Sequence, residues 1–290
     1  MAVMTRPAAC TEALVLRAWP CGETSAVVSL LTRDHGYVKV IAKGARTGRS
    51  RLRPLIEPGR LVTAEFSLDP RRELQFLRGG EVDLDPMGEG ATLERSAYLL
   101  GALELVDRCR PFGNTETTGR GEDSAPGSAS GSGTAAVLFA VCESFVRMLS
   151  SRSCNRPALL FFAFEWDLLA RHGMAPEVSA CVGCGDDLDS ARQHSLRFNP
   201  AEGGVVCGSC TARDPADGGR PLGLDAWAQL QEMARAEVAL EVAGRKVEPL
   251  PRPLRRELGA HLHRFLGYHL PGYRLPAALD LLRAGKDSSG

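Results

Sequence analysis

Four cysteines form the most chemically specific pattern in this sequence. Cys181 and Cys184 make one Cys-x-x-Cys pair, and Cys207 and Cys210 make a second pair after 22 intervening residues. Each pair lets two sulfur atoms approach one ion from a single tight turn, for which the glycines inside the pairs supply backbone freedom. Two such pairs provide the four thiolates of a tetrahedral Zn²⁺ site. The spacing therefore predicts one structural zinc ion per chain.

Two disulfides and a catalytic zinc are the alternatives to a structural metal. Disulfides need an oxidising compartment, and residues 1–12 lack the basic start and apolar stretch of a signal peptide. A catalytic zinc keeps one coordination position open for water, whereas four thiolates leave none. Ala180 and Val206 precede the two pairs, where a zinc deaminase would show a Pro-Cys-x-x-Cys motif. We therefore interpret the metal as architectural.

The elements that position these cysteines belong to a chain of 290 residues, 44% hydrophobic and 24% charged. This composition is typical of a soluble globular protein with room for one large or two modest domains. Its apolar runs are too short to span a bilayer, so we expect a cytoplasmic protein. The formal net charge is zero, but residues 1–83 carry 13 Lys and Arg against 9 Asp and Glu. The N-terminal part is therefore basic and the remainder acidic.

Residues 11–83 predict a run of β-strands separated by Gly, Pro and Asp turn signals. Five short strands in about seventy residues favour a small closed barrel, for which the five-stranded oligonucleotide-binding (OB) fold is the commonest solution. An SH3-like barrel is the structural alternative. The predicted strands are 11–19, 24–32, 36–42, 61–68 and 73–82.

A basic segment lies between the third and fourth predicted strands and contains no acid before Glu57. Six cations on one edge of a barrel suit sequence-independent nucleic-acid binding, because each neutralised phosphate releases condensed counterions. A solvated loop that only keeps the barrel soluble is the alternative. Aromatic residues are few, and Phe66 and Phe76 are predicted to lie in the core, so binding is expected to depend on charge more than on base stacking. The predicted nucleic-acid-binding residues are Lys39, Lys43, Arg46, Arg49, Arg51 and Arg53.

The second predicted domain, residues 84–290, is α-helical and carries the zinc module at 176–214, with a short hairpin formed by 195–199 and 203–206. Residues 113–133 are rich in Gly, Ser and Thr and predict a disordered insert. Apolar residues recur at three- and four-residue spacing in several segments, which indicates amphipathic helices. The predicted helices are 91–109, 135–150, 157–172, 224–236 and 254–269.

Two carboxylates in the most apolar of these helices invite a catalytic interpretation. Glu165 and Asp167 stand two residues apart, however, and residues at that spacing point to different faces of a helix. We expect Glu165 to be a paired carboxylate or to lie at the rim of the core. No Walker-type phosphate loop, nucleotide-binding fingerprint or cluster of acids is present elsewhere. The sequence therefore favours a protein without enzymatic activity.

Several ordered fragments of the barrel segment resemble the start of RecO recombinational-repair proteins. They are Glu12–Arg17 (EALVLR), Gly22–Ser25 (GETS), Leu30–Gly36 (LLTRDHG) and Ala42–Arg46 (AKGAR). The resemblance implies an N-terminal OB barrel followed by a helical domain in which many members insert a four-cysteine zinc module. It also implies a mediator that binds and anneals single strands and works with RecR to load RecA onto DNA coated by the single-strand-binding protein.

Two functional hypotheses follow. The first is a DNA repair and recombination protein that binds single- and double-stranded DNA and is associated with the bacterial nucleoid. The second is an RNA-binding or transcription-associated barrel with a structural zinc ribbon. The family's closing pattern is basic around residues 264–274, but Pro271 and Pro276 interrupt it here, so the pattern does not predict a DNA contact at this end.

Overall fold

The protein divides into two compact units. The structure, a computed structural model, describes residues 8–69, 71–88, 90–109, 130–188, 195–213, 219–245, 248–270 and 272–284. Unit 1 comprises Met1–Arg152 and Pro276–Gly290, and unit 2 comprises Ser153–Leu275. The two units are defined by how compactly the chain packs. They do not test the predicted domain boundary between residues 83 and 84, which stays a prediction. Among the described residues, no helix is long and apolar enough to cross a membrane.

Unit 1 begins with a closed five-stranded barrel, which confirms the predicted OB-type fold. The strand order is β1-β2-β3-β5-β4, and every pairing is antiparallel except the short β3–β5 pairing that helps to close the barrel. Inward positions alternate with outward ones, so that Val38, Val40 and Ala42 are buried on β3 while Lys39 and Ile41 face outward. The strands are β1 (Ala8–Cys21), β2 (Ser25–Thr32), β3 (Gly36–Ala42), β4 (Leu61–Ser67) and β5 (Leu74–Leu84).

Strand β1 is long enough to pair with β4 along its first half and with β2 along its second. Its register to β2 shifts between Val15 and Arg17, which marks a β-bulge. After the bulge Arg17 and Trp19 face outward, and Ala18 packs against the barrel core. Gly80 lets β5 lie close to β4, since a Cβ at this position would lie 2.2 Å from the carbonyl oxygen of Thr63.

Two helices of unit 1 contact one end of the barrel. The Tyr37 hydroxyl donates to the carbonyl of Val106 on α1 (Leu93–Arg108) at 2.8 Å. Arg33 Nη2 lies 2.9 Å from a carboxylate oxygen of Glu143 on α2 (Ser130–Ser150). These helices match two predicted ones. However, α2 begins at Ser130, inside the predicted disordered insert, and the rest of that insert, residues 113–129, lies outside the described residues.

The central helix of unit 2 is α3 (Pro157–Arg171), which is buried along almost its whole length, as its apolar sequence predicts. The two remaining predicted helices, at 224–236 and 254–269, are also present. Three shorter helices were not predicted. The further helices are α4 (Gly208–Arg213), α5 (Leu224–Arg235), α6 (Ala239–Arg245), α7 (Arg252–His269) and, in unit 1, α8 (Ala277–Ala284).

The two carboxylates on α3 have separate structural roles. Asp167 accepts hydrogen bonds from the backbone N–H groups of Ala239 and Leu240 at 2.7 and 3.0 Å, and so caps the start of α6. Glu165 is fully buried and one of its oxygens lies 3.1 Å from His263 Nε2 on α7. Glu165 is therefore a paired carboxylate in the core, and the two acids do not form one site.

A small three-stranded sheet carries the predicted hairpin of unit 2. It consists of β6 (Arg197–Asn199), β7 (Gly204–Val206) and β8 (Arg220–Pro221) in the order β7-β6-β8. Trp227 on α5 donates its indole N–H to the carbonyl of Val178 at 2.8 Å, which fastens the neighbouring loop to the helices. This sheet and loop together position the cysteines.

Candidate metal centre and nucleic-acid interface

The four cysteines predicted to bind metal lie together in unit 2. Their sulfur atoms all lie within 4.8 Å of one another, and Cys184 Sγ is 4.0 Å from Cys207 Sγ. One sulfur from each of four cysteines is the donor set of a structural zinc site, so the residues present fit the predicted ion. Within the described part of the chain, no other group of three or more His, Cys, Asp or Glu side chains is arranged to hold a metal.

Two short turns bring these sulfur atoms together. In the first, Gly185 N–H donates to the carbonyl of Cys181 at 2.8 Å, and Gly185 adopts a left-handed φ of 75° that favours glycine. The second pair follows directly from β7, with Cys210 inside α4. A backbone hydrogen bond of 2.9 Å from Val182 N–H to the Val205 carbonyl joins the first turn to β7, the strand that leads into the second pair.

Gly183 has a different role from the one that the sequence predicts. It was expected to supply backbone freedom, but its φ does not lie in the left-handed region. A Cβ at this position would lie 3.3 Å from both Cβ and Sγ of Cys210. Gly183 therefore contributes to packing, because a side chain here would press against Cys210 where the two cysteine pairs approach each other.

The electrostatics of the cluster favour negative charge at one sulfur. Burial alone would raise the pKa of Cys181, but hydrogen bonds from the backbone N–H groups of Cys207, Cys184 and Gly183 outweigh it and lower that pKa to about 7. Burial and the neighbouring thiols raise the pKa of Cys210 to about 12. A bound divalent cation would stabilise all four sulfurs as thiolates.

Two of the six predicted nucleic-acid-binding residues are engaged within the barrel. Lys39 Nζ lies 2.6 Å from Glu73 Oε1, and hydrogen bonding to this ammonium group lowers the pKa of Glu73. Arg46 donates to the carbonyls of Gly22 and Glu23 at 3.2 and 3.4 Å, and so holds the β1–β2 turn. These two cations have structural contacts that a phosphate would have to replace or share.

Five of the six predicted residues are exposed, and three of these five are also unpaired among the described residues. Arg49, Arg51 and Arg53 have no hydrogen-bonding or ion-pair partner for their side chains among the described residues. The segment that carries them is anchored at both ends, because Ala45 and Leu55 are buried in the barrel core. The three guanidinium groups are therefore held at the surface by a fixed backbone and are available to anions.

The sixth predicted residue, Lys43, lies against the ring of Phe76, whose position was predicted incorrectly. Lys43 Nζ is 4.9 Å from the centre of the Phe76 ring, and the Arg72 guanidinium is 5.6 Å from it. Phe76 was predicted to lie in the core, but it is half-exposed on the outer face because Gln75 and Leu77 take the inward positions. Phe66, by contrast, is fully buried as predicted.

The polar residue Gln75 explains this inversion. Its amide accepts a hydrogen bond from Asp69 N–H at 2.9 Å and donates to the carbonyls of Asp69 and Arg72 at 2.8 and 2.7 Å. The buried amide is thus satisfied by the backbone of the β4–β5 loop. Strict alternation along the strand from Leu77 would have placed Phe76 outside.

The register of the barrel places Phe76 at the end of a continuous row on the outer face. Trp19 pairs with Val27, Val27 with Ile41, and Ile41 with Phe76, so the row crosses β1, β2, β3 and β5. We call these four residues the apolar row. None of them belongs to the buried core cluster of the barrel, and all except Val27 are half-exposed.

The apolar row and its surrounding cations form the candidate nucleic-acid interface. In OB folds generally, the β2–β3 face and the β1–β2 and β4–β5 loops bind oligonucleotides. The row lies on that face, Arg46 contacts the first loop and Arg72 belongs to the second. Aromatic rings can stack on bases while cations contact phosphates. Lys43 and Arg46 of this arrangement were predicted from the sequence, whereas its exposed aromatic side chains were not.

The chain is similar to proteins of a known DNA repair family. Residues 5–83 match the model described as Recombination protein O N terminal, and residues 134–278 match Recombination protein O C terminal. A DNA repair protein RecO from Myxococcus xanthus (strain DK1622) is 31% identical over 281 residues, or 95% of this chain and 98% of that protein. The DNA repair protein RecO of Bacillus subtilis (strain 168) is 28% identical over 204 residues, 70% of this chain and 69% of that protein.

Proposed function

The chain belongs to the RecO family of DNA repair proteins, and from that premise we propose that it binds single- and double-stranded DNA and anneals complementary strands. In this proposal no bond is made or broken. Within the cell, the protein acts with RecR to help load RecA onto DNA that is coated by the single-strand-binding protein. One zinc ion, held by the four cysteines, stabilises unit 2 and takes no part in binding DNA.

The observation that carries this proposal is the outer face of the barrel. Trp19 and Phe76 lie in one register row and offer aromatic surface to unpaired bases. Lys43 lies beside Phe76, and Arg49 and Arg51 belong to the basic segment that follows. A strand with its bases on the row would therefore have cations close to its phosphates.

This arrangement also suits annealing. Two complementary strands repel each other through their phosphates, and cations that neutralise those phosphates reduce the repulsion. Stacking on aromatic side chains tolerates any base, because every base has a π face. The interface thus holds a strand without regard to sequence, as an annealing protein requires.

Binding to an oligothymidylate at several salt concentrations tests the contribution of the row. We expect Phe76→Ala to weaken binding by about 1–3 kcal/mol with an unchanged dependence of affinity on salt, because stacking is lost and no phosphate contact is removed. Leu93→Ala, at an exposed position on α1, is the matched control and should bind like the unmodified protein.

Two outcomes would contradict the proposal. If a folded Phe76→Ala variant and the control bind the oligonucleotide with equal affinity, the apolar row is not part of the interface. A preference of the unmodified protein for structured RNA over single-stranded DNA would favour the RNA-binding hypothesis instead.

A further inference from the structure

Two carboxylates lie among the cations of the barrel face and neutralise two of them. Glu73 Oε1 lies 2.6 Å from Lys39 Nζ, and Asp69 Oδ2 lies 3.2 Å from Arg72 Nε. Both acids belong to the β4–β5 loop, and Glu73 directly precedes the first residue of β5. We call Asp69 and Glu73 the loop carboxylates. They place negative charge on the surface that carries the candidate nucleic-acid interface.

The two paired cations are neighbours of the apolar row. Lys39 lies two residues before Ile41 on β3, so both side chains point to the outer face of the barrel. The Arg72 guanidinium lies 5.6 Å from the centre of the Phe76 ring. A strand whose bases stack on the row would therefore pass beside Lys39 and Arg72, and beside the carboxylates that hold them.

The fold of the barrel brings each carboxylate to its cation. Asp69 Oδ1 accepts a hydrogen bond from Arg71 N–H at 3.1 Å, which fixes this side chain within the loop. Lys39 pairs in register with Leu74, the residue after Glu73. The parallel pairing of β3 with β5 therefore positions Glu73 beside the ammonium group.

Paired and unpaired cations differ in what they offer to a phosphate. An ammonium group beside a carboxylate forms a neutral pair, and a phosphate that displaced the carboxylate would leave two anions close to one cation. Arg49 and Arg51, by contrast, have no such partner among the described residues. Since each neutralised phosphate releases counterions, cations that contact phosphates determine the salt dependence of binding. We therefore expect Lys39 and Arg72 to contribute little to it in the unmodified protein.

We infer that the loop carboxylates act as internal phosphate mimics, which occupy Lys39 and Arg72 and so limit the number of phosphates that the barrel face contacts. This inference rests on the proposed function and deepens it, because the carboxylates then set how tightly the face holds a strand. A face that holds a strand with moderate affinity can release it after pairing, as annealing requires.

The test is a salt titration of a fluorescent oligothymidylate with the full-length chain. Glu73→Gln combined with Asp69→Asn should raise the affinity at low salt and steepen the slope of log K against log salt by about 1.4, since each newly contacted phosphate of a single strand accounts for about 0.7. An amide oxygen at position 69 can still accept the hydrogen bond from Arg71 N–H. Glu73→Gln alone, at a side chain that is 83% exposed, should steepen the slope by about 0.7.

The matched control is Glu65→Gln combined with Glu81→Gln. These two exposed acids lie on β4 and β5 of the same barrel and have no ion-pair partner among the described residues. The control removes the same amount of negative charge as the double variant of the loop carboxylates but uncovers no cation. It should therefore leave the slope unchanged.

Lys39→Gln shows whether Glu73 acts through its partner. In the unmodified protein this substitution should leave the slope unchanged, because Lys39 is already neutralised. In the Glu73→Gln background it should abolish the steepening of about 0.7. A steepening that persists without Lys39 would mean that Glu73 acts only through the overall charge of the barrel, and a flatter slope for Lys39→Gln alone would mean that Lys39 contacts phosphate in spite of Glu73. Either result would overturn the inference.

The remaining outcomes separate this inference from the proposed function. If Phe76→Ala weakens binding while the variants of the loop carboxylates behave like their control, the inference is overturned and the barrel interface stands. If the unmodified protein binds no oligonucleotide, the proposed function fails and the inference fails with it.

Discussion

Cys184 is exposed while Cys181 and Cys207 are buried, so the cysteine cluster reaches the surface of unit 2 at Cys184. A serine at this position removes a thiolate and leaves the surrounding core intact. Because Cys184 is exposed, this substitution changes the packing of unit 2 very little. Any loss of stability would then come from the loss of metal binding, whose free energy contributes to folding.

We predict that the purified protein contains one zinc ion per chain and that Cys184→Ser loses most of it. The free energy of unfolding of unit 2 should fall by several kcal/mol, since ligation energy contributes to folding. Elemental analysis and urea unfolding measure both effects. Cys10→Ser, at an exposed cysteine on β1, is the control and should keep its zinc. Freshly purified protein with no metal and four reactive thiols would refute the metal site.

Glu165 is the least expected charged residue of the core. Burial raises its pKa above the ordinary value of 4.5, and the neighbouring His263 opposes this rise. A carboxyl whose pKa is raised by folding contributes stability below its unfolded pKa and loses that contribution as the pH rises through its folded pKa. The wild-type protein should therefore lose this contribution as the pH rises above about 4.5.

We predict that Glu165→Gln removes this loss. The urea midpoint of the variant, relative to that of the wild type, should increase steadily as the pH is raised from about 4.5 to 7, because the variant has no carboxylate to ionise in the core. Glu241→Gln, at an exposed position on α6, is the control and should follow the wild type. If the difference in urea midpoint between Glu165→Gln and the wild type stays constant across this range, burial does not raise the pKa of Glu165.

Among the elements, the basic segment between β3 and β4 combines a fixed backbone with unpaired charges among the described residues. Arg46 serves the β1–β2 turn, so its replacement would disturb structure as well as charge. Arg49 and Arg51 are exposed and unpaired among the described residues, which makes them the cleaner probes of a phosphate contact.

We predict that Arg49→Gln combined with Arg51→Gln flattens the salt dependence of single-strand binding by about 1.4 in the log–log slope. Base preference should not change, because phosphate contacts carry no sequence information. Arg108→Gln with Arg147→Gln is the matched control, since these arginines already pair with Glu104 and Glu143. An unchanged slope in a folded variant would show that the phosphate contact lies elsewhere. The next candidates are Arg71, Arg72 and Arg78 near the β4–β5 loop.

The elements that the sequence predicted are those with strong local patterns. All five strands and five helices lie close to their predicted bounds, because alternation and helical spacing are visible over seven or more residues. The helices α4, α6 and α8 have eight residues or fewer, which is too short for a clear period. The spacing of the four cysteines was enough to predict that they lie together.

The remaining features depend on contacts between distant residues. The outward position of Phe76 depends on Gln75, whose burial is explained only by its hydrogen bonds to the β4–β5 loop. The pairing of Lys39 with Glu73 follows from the parallel β3–β5 register, which brings together residues 34 positions apart. The apolar row needs the register of four strands and the β1 bulge. No local pattern contains this information.

At the scale of the whole molecule, the formal net charge is zero. A neutral protein gains no general attraction to a polyanion, so binding must come from local groups of cations. The barrel face supplies one such group beside its aromatic row. We therefore propose that this face holds single strands and promotes their pairing.

The most direct measurement is an annealing time course with complementary DNA strands coated by the single-strand-binding protein. The unmodified protein should accelerate duplex formation, and the Arg49→Gln/Arg51→Gln and Phe76→Ala variants should each lose most of that acceleration. The Arg108→Gln/Arg147→Gln control should anneal like the unmodified protein. Equal annealing rates with and without the protein, or full acceleration by the folded barrel variants, would contradict the account.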